Sequence, residues 1–208
     1  MEFRLLYEGE LPPSGNKNKR TCEKHEIRRS FHPQLRRLWS VDSNLRELAA
    51  RRWVESVKSN FPPTTEPERF DLGVKAMGEK WSRAEFKCVP LVTPDMGLRC
   101  GLDILLLRPE EDRFIFKAGD VDGQIKTLFD ALRIPQNKGE TGGIGPQADE
   151  CPLFCLLEDD TLISEVKVST DRLLLLPGQR DVRPNDALVV IHVMLNHRPH
   201  RTFDNYCG

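Results

Sequence analysis

The hydrophobic pattern begins with a strand and continues with two helices. Apolar and polar residues alternate over residues 3–7, which predicts a strand that ends at the Pro-Pro-Ser-Gly-Asn stretch of residues 12–16. Apolar positions then follow helical spacing over residues 35–57, with a break between residues 40 and 43. Asp42 or Ser43 is suitable as the N-cap of a second helix after that break.

The middle of the chain predicts strands that lead into a further helix. Residues 60–85 are polar and proline-rich at their start, without clear periodicity, and we interpret them as an insertion or a long connection. Short aliphatic runs at residues 85–93, 97–109 and 113–119 predict strands that form a hairpin. Residues 121–134 return to helical spacing.

The last third predicts a loop and then more strands. Residues 135–150 are rich in glycine and proline, which is typical of a mobile loop. Strand patterns follow on both sides of the acidic group at residues 158–160, and residues 186–195 predict a final strand. The fold class is therefore α/β or α+β, with one mixed sheet and a few flanking helices.

Length and composition allow one sizeable core. The chain has 208 residues, of which 38% are hydrophobic, and this favours a single domain over residues 1–208. The longest apolar runs are too short to cross a bilayer, and the first ten residues lack a signal-peptide pattern. We therefore expect a cytoplasmic protein with no membrane partner.

Positive charge is concentrated near the N-terminus, although the net charge is only −1. Lysine and arginine outnumber the two glutamates of residues 17–37, and most of the compensating acid lies after residue 109. The segment is either a solvated loop and helix face or an arm that neutralises nucleic-acid phosphates. Its candidate phosphate contacts include Lys17, Lys19, Arg20, Lys24, Arg28 and Arg29.

Two aspartates precede a lysine at the start of the helix predicted over residues 121–134. Asp120 and Asp122 would share one face of a strand, or converge where a strand turns into the helix. In the simpler interpretation Asp122 caps the helix, and Lys126 pairs with Asp130 on its surface. If Asp159 or Asp160 approaches, however, repulsion between carboxylates would raise their pKa values unless a cation such as Mg²⁺ or Mn²⁺ binds.

Three separated motifs favour the second interpretation. The chain contains LPPSGNKNKR at residues 11–20, GDVDGQIKTLFDAL at 119–132 and LEDDTLISEVKV at 157–168, in that order. Together they resemble the RusA family of Holliday junction resolvases, which has a Pro-Pro-Ser-x-Asn turn, an Asp-x-Asp-Asn followed by lysine, and an Asp-Asp pair before the next strand. The resemblance covers about half of the chain, with extra sequence at about 40–85 and 135–150.

The resemblance implies a RusA-like fold and a metal-dependent endodeoxyribonuclease that cleaves branched DNA as a homodimer. It implies that Asp120, Asp122 and Asp160 bind Mg²⁺, with Mn²⁺ as a substitute, and that Asp159 supports the site. Lys126 would act at the scissile phosphate. The DNA-binding residues would be those of the turn and the basic segment, namely Asn16, Lys17, Lys19, Arg20, Lys24, Arg28 and Arg29.

One residue departs from the family pattern. Gly123 stands where the family has asparagine, which removes a polar side chain from beside the metal cluster. A second hypothesis is therefore a catalytically inactive relative that binds nucleic acid or a protein through the same scaffold. A third is an accessory protein in which the acidic residues are only structural.

Overall fold

The computed structural model describes residues 1–13, 20–53, 65–109, 118–174 and 186–197. Within these ranges, the side chains of residues 20, 21, 52, 53, 118–120 and 197 are outside the description. The predicted strand at residues 113–119 lies mostly outside the described ranges, and residues 118 and 119 already belong to a helix.

Four α-helices and seven strands occur in the described ranges. The helices are α1 (Arg20–Val41), α2 (Ser43–Leu48), α3 (Glu66–Lys80) and α4 (Ala118–Leu132). The strands are β1 (Glu2–Glu10), β2 (Ser82–Arg83), β3 (Phe86–Val92), β4 (Leu98–Pro109), β5 (Leu153–Leu157), β6 (Ile163–Leu173) and β7 (Asp186–His197). None of the helices described is long and apolar enough to cross a membrane.

The strands form two sheets, and the predicted mixed α and β class is confirmed. The larger sheet has the order β1-β7-β4-β6, in which β4 and β6 are parallel and the other neighbours antiparallel. The smaller sheet has the order β2-β3-β5, with β3 and β5 parallel. Where one sheet was expected there are thus two, each with a parallel pair.

The predicted hairpin of β3 and β4 is wrong, because the two strands belong to different sheets. All residues of β3 except Lys87 are buried. A strand buried on both faces is typical of parallel pairing, and β3 accordingly pairs with β5. The short connection between β3 and β4 therefore crosses from one sheet to the other.

Helix α1 joins the two sheets through a continuous apolar face. Ile27, Phe31, Leu35 and Trp39 recur every fourth residue, and all are at most 1% exposed. The helix contacts β1 of the larger sheet, β5 of the smaller sheet and α4. After α1, Asp42 accepts a hydrogen bond from the main-chain nitrogen of Leu45, which confirms the predicted cap of α2.

Helix α3 was missed by the sequence pattern, which indicated an irregular insertion. It begins with a capping box, in which Thr65 and Glu68 each bond the other's main-chain nitrogen. Its buried residues include Val74 and Met77, but also Gly73 and Gly78. Because glycines occupy part of the buried face, the apolar periodicity is interrupted even though the helix is regular.

Gly73 is required by a close contact between α3 and the π-helical segment Ala49–Trp53. A Cβ atom at Gly73 would lie 2.1 Å from the carbonyl oxygen of Ala49. Gly73→Ala is therefore expected to destabilise the protein by about 1–3 kcal/mol, although the same change in an open helix is stabilising. Urea unfolding tests this, with Gly145→Ala as the control, since nothing lies within 4 Å of its Cβ position. Equal stabilities of the two variants would contradict the close contact.

Candidate functional site

Helix α4 displays two of the predicted site residues on its exposed side. Asp122 and Lys126 are both exposed and lie one helical turn apart. Gln124, Thr127 and Leu128 of the same helix are buried. The apolar and polar positions of α4 therefore orient the Asp122 carboxylate and the Lys126 ammonium towards solvent.

The helix begins earlier than the sequence indicated. It starts at Ala118, so Asp122 lies within the second turn and is not the N-cap residue. Asp120 belongs to the first turn, which means that the strand arrangement expected for the two aspartates is wrong. The side chain of Asp120 is outside the described residues.

The alternative pairing of Lys126 with Asp130 is also wrong. Asp130 is bonded instead to Lys24, at 2.5 Å, and to Arg133, at 2.9 Å. Burial raises the pKa of Asp130, but the two cations outweigh burial and hold the pKa below its usual value. Lys126 has no hydrogen-bond or ion-pair partner among the described residues, so its ammonium is available to an external anion.

The second acidic segment forms a tight turn beside α4. Asp159 accepts hydrogen bonds from the hydroxyl of Thr161, at 2.7 Å, and from its main-chain nitrogen, at 3.0 Å. These bonds lower the pKa of Asp159, which is opposite to the increase expected of crowded carboxylates. Asp160 begins the 3₁₀ turn Asp160–Leu162, and this turn packs against α4.

The available carboxylates are of the type that suits a hard cation. Asp122 has no hydrogen-bond or ion-pair partner among the described residues, whereas the Asp160 side chain lies at hydrogen-bonding distance from that of Asp159. Carboxylate oxygens are preferred ligands of Mg²⁺. The part of the chain that is described holds no group of three or more His, Cys, Asp or Glu residues placed to bind a metal. Asp120, whose side chain is outside the description, is the further carboxylate nearest to Asp122 in sequence.

Most of the described basic residues of the segment 17–37 have partners within the protein. Lys24 pairs with Asp130, and Arg29 lies 2.8 Å from Glu150. Arg28 is only 1% exposed, so its predicted contact with DNA is wrong. Asn16, Lys17 and Lys19 lie outside the described residues, and Arg20 is the first residue of α1 with its side chain outside the description.

Arg28 instead binds the end of α4. Its Nε donates to the carbonyl of Arg133 at 3.0 Å, and its Nη2 donates to the carbonyl of Asp130 at 2.6 Å. Glu140 supplies a carboxylate 3.8 Å away and also pairs with Arg133 at 3.0 Å. Arg28 thereby satisfies carbonyls at a helix C-terminus and links them to the segment after α4.

Two buried histidines of α1 contact the segment 135–150, which the sequence predicted to be a mobile loop. His32 Nδ1 accepts from the main-chain nitrogen of Phe154, and its Nε2 lies 2.9 Å from the carbonyl of Asp149. The acceptor role of Nδ1 places the proton of the neutral ring on Nε2. His25 Nδ1 faces the Arg28 guanidinium at 3.5 Å, and its Nε2 lies 3.7 Å from Glu150. Both rings therefore fit the structure in their neutral form.

Acid is expected to destabilise the fold through His25. Burial, assisted by Arg28, lowers the pKa of His25 to about 4. In the unfolded chain the His25 imidazole takes up a proton near pH 6.5, whereas in the folded protein it does so only near pH 4. The contribution of His25 to the free energy of unfolding is therefore fully present above about pH 6.5 and decreases as the pH drops towards 4. The free energy of unfolding falls by roughly 3 kcal/mol over this range. Urea midpoints between pH 7 and 4.5 measure it, and His25→Gln should reduce the slope. An unchanged slope in that variant would assign the acid sensitivity to other groups, among them His32.

Comparison with known proteins gives no relative from which a function can be transferred. No protein-family model matches the chain. No curated protein matches it. No solved structure matches it.

Proposed function

We propose that this protein is a Mg²⁺-dependent, structure-selective endonuclease that hydrolyses phosphodiesters in branched DNA, in the manner of the RusA-type resolvases. The observation that carries the proposal is the packing of the Asp160–Leu162 turn against α4. This contact brings the acidic turn next to the helix that carries Asp122, and Arg133, which follows the C-terminal end of that helix, acts electrostatically on Asp159. Asp122 and Lys126 leave their charged groups uncommitted within the described structure, and the Asp160 side chain is engaged only with that of Asp159.

Each residue has a distinct role in this proposal. Asp120, Asp122 and Asp160 hold the cation, which when bound lowers the pKa of a water ligand and stabilises charge on the leaving oxygen. Mn²⁺ is expected to substitute for Mg²⁺. Asp159 supports the site by closing the turn through Thr161. Lys126 contacts the scissile phosphate, because its ammonium is exposed one turn from Asp122.

The DNA contacts of the proposal are restricted to the start of the basic segment. Asn16, Lys17, Lys19 and Arg20 precede or begin α1, whereas Lys24, Arg28 and Arg29 have internal partners. Positive charge at Lys17, Lys19 and Arg20 would attract the phosphates of a branched duplex, and the neutral amide of Asn16 would donate a hydrogen bond to a phosphate. The proposal includes a homodimer, since two equivalent sites would nick two symmetry-related strands.

A second candidate is a catalytically inactive module that binds nucleic acid or protein. The observation that favours it is the absence of a three-ligand acidic group from the described residues. Gly123, half-buried in α4, adds to this interpretation because it replaces the polar residue of the family pattern. The two candidates differ in whether the protein turns over DNA in the presence of a divalent cation.

Cleavage of a labelled four-way DNA junction, beside a linear duplex of the same sequence, tests the proposal. With Mg²⁺ or Mn²⁺, we expect paired nicks near the branch point, little cleavage of the linear duplex, and no cleavage in EDTA. Folding of each preparation is verified by circular dichroism. A folded protein that cleaves neither DNA with either metal would favour the inactive module.

A further inference from the structure

A cavity of about 530 Å³ lies between α1, α3 and the smaller sheet. It is lined by residues of these elements and by the segment that leads into β5, and none of its lining residues belongs to α4 or to the acidic turn. Sites for small organic molecules usually have volumes of about 300–1,000 Å³. The cavity is therefore large enough for a ligand, and the endonuclease proposal does not use it.

The inner surface of the cavity is apolar. Phe70 and Val74 contribute from α3, while Pro152 and Phe154 contribute from the opposite side. Val74 and Phe154 are 8% and 4% exposed, so they form a fixed floor beneath the opening. Such a surface favours an aromatic or branched aliphatic group, because burial of apolar area drives its binding.

Two unpaired cations border this apolar surface. Arg36 of α1 and Lys75 of α3 line the cavity, are exposed, and have no hydrogen-bond or ion-pair partner among the described residues. Lys87 also lines it but pairs with Glu79, and Asp71 contributes one uncompensated negative charge. The two positive charges of Arg36 and Lys75 therefore exceed the one negative charge of Asp71, and this net positive charge complements a single anionic group.

We propose that this cavity binds a small organic anion, an aromatic or branched aliphatic carboxylate or sulfonate, with its apolar body on the floor and its anionic group between Arg36 and Lys75. The ligand needs an apolar body because the floor of the cavity is apolar, and it needs one anionic group because two cations border that floor. The site is separate from the acidic residues of α4, so its occupancy does not depend on a divalent cation.

The exposed thiol of Cys151 reports whether the cavity is occupied. Cys151 lines the cavity and is a free cysteine. A ligand on the apolar floor would shield this thiol from a neutral alkylating reagent such as iodoacetamide. Peptide mass spectrometry of Cys151 then distinguishes binding in the cavity from binding of an apolar probe elsewhere on the surface.

The test uses 1-anilinonaphthalene-8-sulfonate as the anionic probe and N-phenyl-1-naphthylamine as its uncharged analogue. The sulfonate should bind saturably, with increased fluorescence, and should slow alkylation of Cys151 in the native full-length protein. Arg36→Gln and Lys75→Gln should each weaken sulfonate binding about fivefold. Arg37→Gln is the matched control, because Arg37 is exposed on the same helix and does not line the cavity.

Several results would overturn the proposal. These are no saturable binding, alkylation of Cys151 at the same rate with saturating sulfonate, or equal affinity of the sulfonate and its neutral analogue. Wild-type affinity in both the Arg36→Gln and Lys75→Gln variants would also overturn it. If Arg36→Gln is not folded by circular dichroism, Lys75→Gln decides the question alone, since Lys75 is exposed on α3.

Discussion

Asp122→Asn is expected to lower the rate of metal-dependent junction cleavage by at least about a hundredfold. The amide keeps the shape of the side chain but removes the negative charge that a divalent cation requires. Asp122 is exposed and has no partner among the described residues, so the change should leave the fold intact. The measurement is the initial rate of nicking of a labelled four-way junction in Mg²⁺, with urea unfolding of the same preparation.

Asp171→Asn is the matched control, because Asp171 is exposed near the far end of β6 from the acidic turn. It removes an equal charge and should change the cleavage rate less than about threefold. If Asp122→Asn cleaves as fast as the wild type, Asp122 does not hold the metal. If both variants lose activity equally, the effect reflects general electrostatics.

Arg28→Met is expected to destabilise the protein by about 3–5 kcal/mol. The change removes the donors that satisfy the carbonyls of Asp130 and Arg133, and it leaves Arg133 as the remaining cation beside Glu140. Arg28 is 1% exposed, so water cannot readily replace these bonds. Urea unfolding at pH 7 measures the loss.

Arg37→Met provides the comparison, since Arg37 is exposed on the same helix and has no partner among the described residues. It should change the free energy of unfolding by less than about 0.5 kcal/mol. A stability of Arg28→Met within about 1 kcal/mol of the wild type would contradict the structural role. A stable Arg28→Met that binds DNA more weakly would restore Arg28 to the DNA-contacting surface.

Local patterns predicted the elements that have a one-sided apolar face. The alternation of β1 and the helical spacing of Leu35 and Trp39 correspond to buried faces in the structure. The helix begins earlier than predicted, at Arg20, and Ile27 and Phe31 extend the same buried face. Helix α3 was missed because Gly73 and Gly78 occupy buried positions, where hydrophobic periodicity expects large side chains. The two-sheet topology also escaped prediction, because strand pairing depends on contacts distant in sequence.

The sequence predicted the spacing of the candidate residues on α4 but not the surroundings of the other candidate residues. The sequence indicated Asp122 and Lys126 one turn apart, and both are exposed on α4. It did not show that Asp159 closes a turn through Thr161 or that Arg28 is interior. Residue type alone does not distinguish a basic side chain that faces solvent from one that donates to a buried carbonyl. The apolar spacing around residue 28, with Ile27 and Phe31, was the available signal that this part of α1 is buried.

Binding of Mn²⁺, followed by broadening of amide signals in NMR spectra, tests most directly whether the aspartates of α4 and the acidic turn share a divalent cation. We expect substoichiometric Mn²⁺ to broaden the signals of residues 120–126 and 159–162 selectively, and excess Mg²⁺ to restore them. The signals of α3 should persist as an internal reference. Unchanged signals at residues 120–126 and 159–162, or broadening centred elsewhere, would contradict the proposed metal centre and with it the endonuclease.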